Sequence, residues 1–408
     1  MKKTTAALVV LVVGVFVTCI TPSVALGKLI DLLPGLYGGE GIFLATDPAA
    51  DHTAHFSIAS AASINRLNEQ IAAEVGGFPF SSSVGGFTFA LEPVLGTFVR
   101  TTDTLGPLFA ERAPTLGRGK FNFNLSYTFF KYHTFDGEDL DDLEVVARHD
   151  PDIIGFPDER EQFETDMVRL TLDIDIEVTI LALAVTYGIT DRLDVSILVP
   201  FVHVDMHVKS VARIAISPEN TLFPGVHSFP GGVDSLVDEA SDEATGLGDI
   251  VLRAKYHLLK SSLADVAAAV LAKLETGDEA NFLGTGDTTV RPFVIVSRPF
   301  FDVLFPGLSM TPHLNLGYEL NVDDGNQNSL EYVVGFDVGV EQFALAAEMI
   351  GTYQVDGDGI GDDLLNASVG AKWNPVQRFI ISANVQFPLN DDGLRSNIIA
   401  TFGVECGF

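Results

Sequence analysis

From about residue 119 to its end, this chain sets an apolar side chain at every second position, in segments of about ten residues. Met310, Pro312, Leu314, Leu316, Tyr318 and Leu320 fall on one side; Thr311, His313, Asn315, Gly317, Glu319 and Asn321 fall on the other. The same alternation runs through Phe121–Tyr127, Ile250–Leu258, Leu330–Val340 and Phe379–Phe387. A period of two belongs to an extended strand, whose successive side chains point to opposite faces. One strand of a soluble sandwich would look similar. Here, however, the second face carries full charges in several segments: Arg253 and Lys255, Lys273 and Glu275, Glu319, Asp337, Glu348 and Arg378. An apolar outside and a polar inside is the pattern of a transmembrane antiparallel β-barrel. Lipid satisfies no sheet edge, so such a sheet must close on itself.

The connections agree. Short links (Thr190–Arg192, Lys260–Ser262, Glu341–Gln342, Asn374–Val376) alternate with longer acidic ones at 134–165, 217–247, 276–286, 322–329 and 355–362. Bacterial barrels have short periplasmic turns at one end and longer external loops at the other. The count predicts twelve strands, near 119–133, 165–189, 193–216, 248–259, 263–275, 287–298, 309–321, 330–340, 343–354, 363–373, 377–388 and 394–407. Residues 26–118 lack this rhythm. Ser60–Val75 reads as a short helix, and Phe87–Ala90 with Gly96–Val99 as a hairpin around Glu92-Pro93. So long a stretch without strands is expected to fill the lumen or cover its periplasmic side. In the alternative, 84–91 and 95–102 add two strands to make fourteen. The expected organisation is therefore 1–25 as an address segment, 26–118 as a plug-like segment and 119–408 as the barrel.

Lys2 and Lys3, the apolar run Ala6–Val17 and the small residues around Ala25 read as a secretory signal peptide, expected to be cleaved near Ala25, with a retained amino-terminal anchor as the alternative. Only Cys406 would then remain, so no intramolecular disulfide is expected. With 24 basic and 55 acidic residues the formal net charge is −31, which repels phosphate backbones and excludes nucleic acid as a partner. The expected location is the outer membrane of a Gram-negative-type bacterium. The last strand supports it: Phe402, Val404 and Phe408 share its apolar face, and the chain ends in Phe. That resembles the insertion signal read by the barrel-assembly machinery.

In 165–189 the apolar face is even through Ile180 and odd from Leu181; in 193–216 it is odd through Val199 and Phe201 and even from Val202. A one-residue slip exchanges the faces of a strand, so a bulge or bend is expected at each switch. Pro200, which donates nothing to a ladder, lies at the same height as the first switch. Ile180, Leu181, Val199, Pro200 and Phe201 are accordingly candidates for a lateral gate. The plainer alternatives are a paired bulge with no transport role, or two strands that leave the membrane there.

Asp173, Asp175 and Glu177, opposite His203, Asp205 and His207, are read as a polar luminal or extracellular patch, and with Arg253 and Lys255 as luminal polar candidates. Two histidines about 6.6 Å apart along a strand are too distant to share one metal unaided. Asp356, Asp358 and Asp362, spaced by glycines, resemble a short calcium loop without the distal bidentate Glu of an EF-hand. Calcium or magnesium held loosely at the acidic loops is the only cofactor expected. No G-x-S-x-G, P-loop, Cys-x-x-Cys or His-Glu-x-x-His stands in the chain, and no enzyme is expected.

Tyr187-Gly-Ile-Thr-Asp-Arg-Leu-Asp-Val195, Pro200-Phe201, Gly246-Leu-Gly-Asp-Ile250 and Lys255-Tyr256 together resemble outer-membrane proteins associated with MetA-type phenol-degradation pathways. The resemblance spans about 165–408 and extends to the FadL-like barrels that carry fatty acids and aromatic hydrocarbons. It implies passive uptake of small hydrophobic or amphipathic compounds past an amino-terminal plug, with lipid and lipopolysaccharide as surroundings. It transfers no binding residue. The competing expectations are a general diffusion porin, which needs a wide open lumen, and a structural or adhesion barrel with cation-binding loops.

Overall fold

The computed structural model describes residues 27–45, 53–54, 56–75, 89–92, 97–100, 105–148, 166–215, 227–323, 328–355, 363–376 and 378–408. The address segment expected at 1–25 and the acidic loop with Asp356, Asp358 and Asp362 lie outside the described residues.

Fourteen strands form one antiparallel sheet. In chain order they are β1 (Phe121–Lys131), β2 (Leu143–Arg148), β3 (Met167–Gly188), β4 (Leu193–Ala215), β5 (Ser235–Leu247), β6 (Ile250–Lys260) and β7 (Asp265–Leu274). There follow β8 (Thr289–Ser297), β9 (Leu308–Asn321), β10 (Ser329–Val340), β11 (Phe343–Gln354), β12 (Leu364–Val376), β13 (Phe379–Pro388) and β14 (Ile399–Gly407). Twelve of these close a cylinder: each pairs with the next around the ring β1-β3-β4-β6-β7-β8-β9-β10-β11-β12-β13-β14, and β14 returns to β1. The expected twelve-stranded barrel is what the chain forms. The hairpin of Phe89–Glu92 and Thr97–Arg100 pairs only with itself and adds nothing to the wall, so the fourteen-strand alternative falls.

The outer face of the cylinder is apolar. Phe123, Tyr127 and Phe129 of β1, Leu183 and Tyr187 of β3, Leu314 and Leu316 of β9, and Phe402 and Val404 of β14 are all exposed. Their strand neighbours are buried polar groups, such as Asn122, Asn124 and Ser126 of β1, and Thr401 and Glu405 of β14. In water this would be an inside-out protein; in hydrocarbon it is the expected arrangement. Among the described residues no helix is long and apolar enough to cross a membrane.

β3 and β4 outrun the cylinder. Towards the short-turn end, β3 pairs with β1 (Phe121↔Tyr187 to Lys131↔Glu177); beyond it, with β2 (Leu143↔Leu172). Likewise β4 pairs with β6 at Leu193–Leu198 and with β5 at Phe201–Arg213. A four-stranded blade, β2-β3-β4-β5, thus stands above the long-loop end of the barrel, the external end by loop length. The inner face of the blade is greasy (Ile174, Ile176, Val178, Met206, Val208), because the chain's own amino-terminal part packs on it. Short helical turns over 29–38 contribute Leu29, Leu33 and Leu36, and helix α1 (Ser57–Val75) contributes Ile64, Leu67 and Ile71, a spacing of one helical stripe. Tyr37 ties this cap to the blade: its N–H donates to Asp238 Oδ2 (2.6 Å) and its hydroxyl to Ser210 Oγ (2.7 Å).

This blade explains the change of apolar face near residue 180 and corrects the bulge expected in each of β3 and β4. The two strands pair without interruption from Met167↔Ala215 to Gly188↔Asp194, and burial alternates unbroken along both. Nothing slips; the surroundings change. Up to Ile180 the even residues are apolar because they meet the cap. From Leu181 onward the odd residues are apolar because they meet lipid, and Ala182 and Ala184 take the inner side.

Candidate functional site

The stretch 105–119, just before β1, crosses the lumen and is held there by inward-facing polar groups from six strands. Glu348 of β11 accepts from the N–H groups of Leu108 (3.0 Å) and Phe109 (2.7 Å). Asn315 of β9 grips Glu111 from both sides, accepting from its N–H (2.6 Å) and donating to its carbonyl (3.0 Å). Ser297 of β8 accepts from Ala113 N–H (3.1 Å), and Asp194 of β4 from Leu116 N–H (2.9 Å). Arg112 pairs with Asp337 of β10, and Glu111 with Arg253 of β6. Lys255, also on β6 and fully buried, donates to the carbonyls of Arg112 (2.9 Å) and Pro114 (3.1 Å) and stands 3.5 Å from Glu111. Each buried charge here has a partner of opposite sign, a backbone N–H or a carbonyl, as a low-dielectric site demands. This strap leaves the lumen beside Gly188, where a Cβ would lie 1.9 Å from Gly117 O.

Above the strap the inner wall changes character. Ile180, Ala182, Ala184, Leu198 and Val202 face inward as an apolar patch, whereas Asn122, Asn124, Ser126 and Thr128 of β1 and Thr311, His313 and Asn315 of β9 make polar inward faces. The loop after β7 folds in to meet this patch, and its Phe282 and Leu283 are buried in the same cluster. Phe282 adopts a left-handed backbone (φ 55°), an uncommon one for a bulky residue.

The wall itself is irregular at this height. Phe201↔Leu247 and Leu198↔Val251 bracket a stretch where Val199 and Pro200 oppose Gly248, Asp249 and Ile250. One extra residue on the β5–β6 side makes a β-bulge and exchanges its faces: Ala244 points in from an even position, Arg253 and Lys255 from odd ones. The bulge therefore sits opposite Pro200, in the neighbouring strand and not in β3 or β4. Gly248 N–H donates to Pro200 O (2.9 Å). A Cβ on Gly248 would come within 3.0 Å of Pro200, Val202 and Leu283 at once.

Of the lateral-gate candidates, Ile180 and Pro200 are buried on the inner side, Phe201 is exposed on the lipid side, and Leu181 and Val199 are half-buried between lipid-side neighbours. Arg253 and Lys255 are luminal. The other residues read as luminal are not. Asp173, Asp175, Glu177, His203, Asp205 and His207 stand on the outer face of the blade, opposite the face packed on the cap. There Asp175 pairs with Lys131 (2.6 Å) and His203 with Thr245 (2.7 Å). The correction has the same cause as the unbroken register: the inner face here is the apolar one. Among the described residues no group of three His, Cys, Asp or Glu side chains is placed to hold a metal ion. Sequence reasoning missed the strap's Glu111 and Arg112 and the bulge's Asp249, because their partners lie far away in the chain. The repeated glycines around Asp249 were the available signal.

A closed cylinder with an apolar exterior and an ion-paired lumen defines an outer-membrane β-barrel. The family model described as "Putative MetA-pathway of phenol degradation" matches residues 161–395, more than half of the chain, and the chain belongs to that family. No curated protein sequence matches it. Among solved structures, an outer membrane channel from Pseudomonas putida F1 is 15% identical with a TM-score of 0.42, covering 72% of this chain and 98% of its own. The toluene transporter TbuX of Ralstonia pickettii is 11% identical with a TM-score of 0.34, covering 72% and 90%. A FadL homologue from Pseudomonas aeruginosa is 11% identical with a TM-score of 0.29, covering 71% and 89%.

Proposed function

We propose that this barrel is a passive channel for small hydrophobic or amphipathic compounds, which enter at the long-loop end and leave sideways into the bilayer near Pro200. The carrying observation is the apolar patch of Ile180, Ala182, Ala184, Leu198 and Val202 on the inner wall, beside the bulge and above a strap that crosses the way down. Water and ions gain nothing from such a patch; an aromatic or acyl group does, by roughly 25 cal/mol for each Å² it removes from water. The strap argues against a general porin, whose lumen is a wide aqueous passage. The family's tie to phenol degradation makes aromatic compounds the first solutes to test.

The test uses cells with an intact lipopolysaccharide leaflet, which by itself slows apolar solutes. Cells making the protein should take up radiolabelled toluene several-fold faster than cells without it, while the purified protein conducts ions poorly in planar bilayers. Equal toluene uptake with large ion conductance would replace this reading by a porin. Pro200→Val, which returns a backbone donor to the wall, should reduce toluene uptake; unchanged uptake would remove the sideways exit and leave the channel.

A further inference from the structure

We infer that Asp249 is the positioning residue of an inner latch: from the wall bulge it holds loop 276–286 across the seam at Pro200, so that Phe282 and Leu283 occupy the apolar patch until a solute takes their place. The inference rests on the channel reading above and adds to it the device that keeps the exit shut.

Asp249 is buried, and among the described residues every hydrogen bond of its carboxylate runs to this one loop. Oδ1 accepts from the N–H groups of Thr276 (3.1 Å) and Gly277 (2.9 Å); Oδ2 accepts from Thr285 N–H (2.9 Å) and Thr285 Oγ1 (3.1 Å). The two oxygens thus clamp both ends of the loop to one point of the wall. Thr276 fastens the same corner: its hydroxyl donates to Gly248 O (2.9 Å) and accepts from Ile250 N–H (2.9 Å). Glycines make the contact close enough. A Cβ on Gly284 would lie 2.4 Å from Asp249 Oδ1, and one on Gly277 would lie 2.7 Å from Leu283 O. On the inner side, a Cβ on Gly246 would lie 2.8 Å from Leu283 Cδ1, so this side chain rests directly on the wall beside the bulge.

Three features set this loop apart from a structural tie. Its apolar tip points inward although the loop starts at the external end. Its Phe282 is held in a backbone conformation that disfavours bulky residues, so moving it relieves strain. Among the described residues, the hydrogen bond that ties it to the cap runs from Leu29 N–H to Asn281 Oδ1 (3.2 Å). A loop clamped at one carboxylate, with an aromatic tip in an apolar patch, can exchange that tip for a small apolar ligand without unfolding the barrel. The ligand class that fits is one of Phe-like size and polarity, a monoaromatic hydrocarbon.

Two substitutions test the latch, with the folded barrel verified by its heat-dependent gel mobility. Asp249→Ala should quicken hydrogen exchange at Thr276, Gly277 and Thr285 and raise toluene uptake several-fold. Quicker exchange with unchanged uptake would show a released loop that gates nothing and would overturn the inference, as would no change in either. Independently, Gly246→Cys with Leu283→Cys in a Cys406→Ser background joins the loop tip to the wall. Oxidation should abolish toluene uptake and reduction restore it; a cross-linked protein that carries toluene at the original rate overturns the latch while leaving the channel standing. Failure of the unsubstituted protein to take up toluene would remove the channel reading, and the latch with it.

Discussion

Single atoms decide where the strap can pass. Gly188 ends β3 on the inner face, where its N–H donates to Lys120 O (2.9 Å) and its carbonyl accepts from Gly119 N–H (2.8 Å). A methyl group there would occupy the same space as Gly117 O. Backbone cannot move aside as a flexible side chain can, so Gly188→Ala should destabilise the folded barrel by about 1–3 kcal/mol, read as a lowered urea midpoint in detergent. Tyr37 is the corresponding point of the cap. Burial holds its phenol above the ordinary range, with Asp238 adding to the rise and the bond to Ser210 opposing it. The folded protein therefore binds that proton more tightly than the unfolded one. Its contribution is complete below the ordinary phenol value of about 10 and is lost as pH rises through the higher folded value. Tyr37→Phe should cost roughly 1 kcal/mol at neutral pH for the lost hydrogen bond and flatten the alkaline fall in thermal stability.

At the scale of elements, what the sequence reveals is what lipid imposes. Every barrel strand was legible within a few residues because hydrocarbon punishes a polar side chain at each alternate position, as β10 and β13 show. Strands β2 and β5 were not legible and were read as loops. Ser235–Leu247 carries Asp238, Glu239, Asp242 and Glu243, acids on both faces, because it stands above the membrane with water outside it; pairing with β4 makes it a strand. The change of face in β3 and β4 was visible, but a period-two signal cannot distinguish a slipped strand from a strand that crosses into a new environment. The strap was invisible for a different reason: its order comes from the inward charges of distant strands, not from any local rhythm. Lys255 shows how much depends on them. Lys255→Met leaves Glu111 with Arg253 alone and strips the carbonyls of Arg112 and Pro114 of their donor. Removing one partner of a buried charge set costs about 3–5 kcal/mol. That loss falls on the strap, since the ladder of β6 is untouched. The expected result is a barrel that remains folded but conducts ions measurably better than the parent in planar bilayers.

The cylinder closes where Phe408 meets Phe121. Phe408 N–H donates to Phe121 O (2.8 Å) and Phe121 N–H to Phe408 O (3.0 Å), so the final residue joins the first residue of β1. Its ring lies on the lipid side, edge-on to Phe123 at 5.9 Å and under the Arg378 guanidinium at 5.5 Å. Both backbone bonds survive substitution of the side chain. The ring faces lipid in the folded state, so its removal forfeits little burial; the ring contacts are worth about 0.5–1.5 kcal/mol beyond area. Phe408→Ala should therefore lower the stability of barrels refolded in detergent by no more than roughly 2 kcal/mol. If the terminal ring is also the signal read during insertion, the same variant should reach the outer membrane of living cells at far below the fraction that this small loss allows. The comparison of refolded stability with cellular yield separates the two roles: a yield that falls only in step with stability makes Phe408 a latch on the closing seam and nothing more.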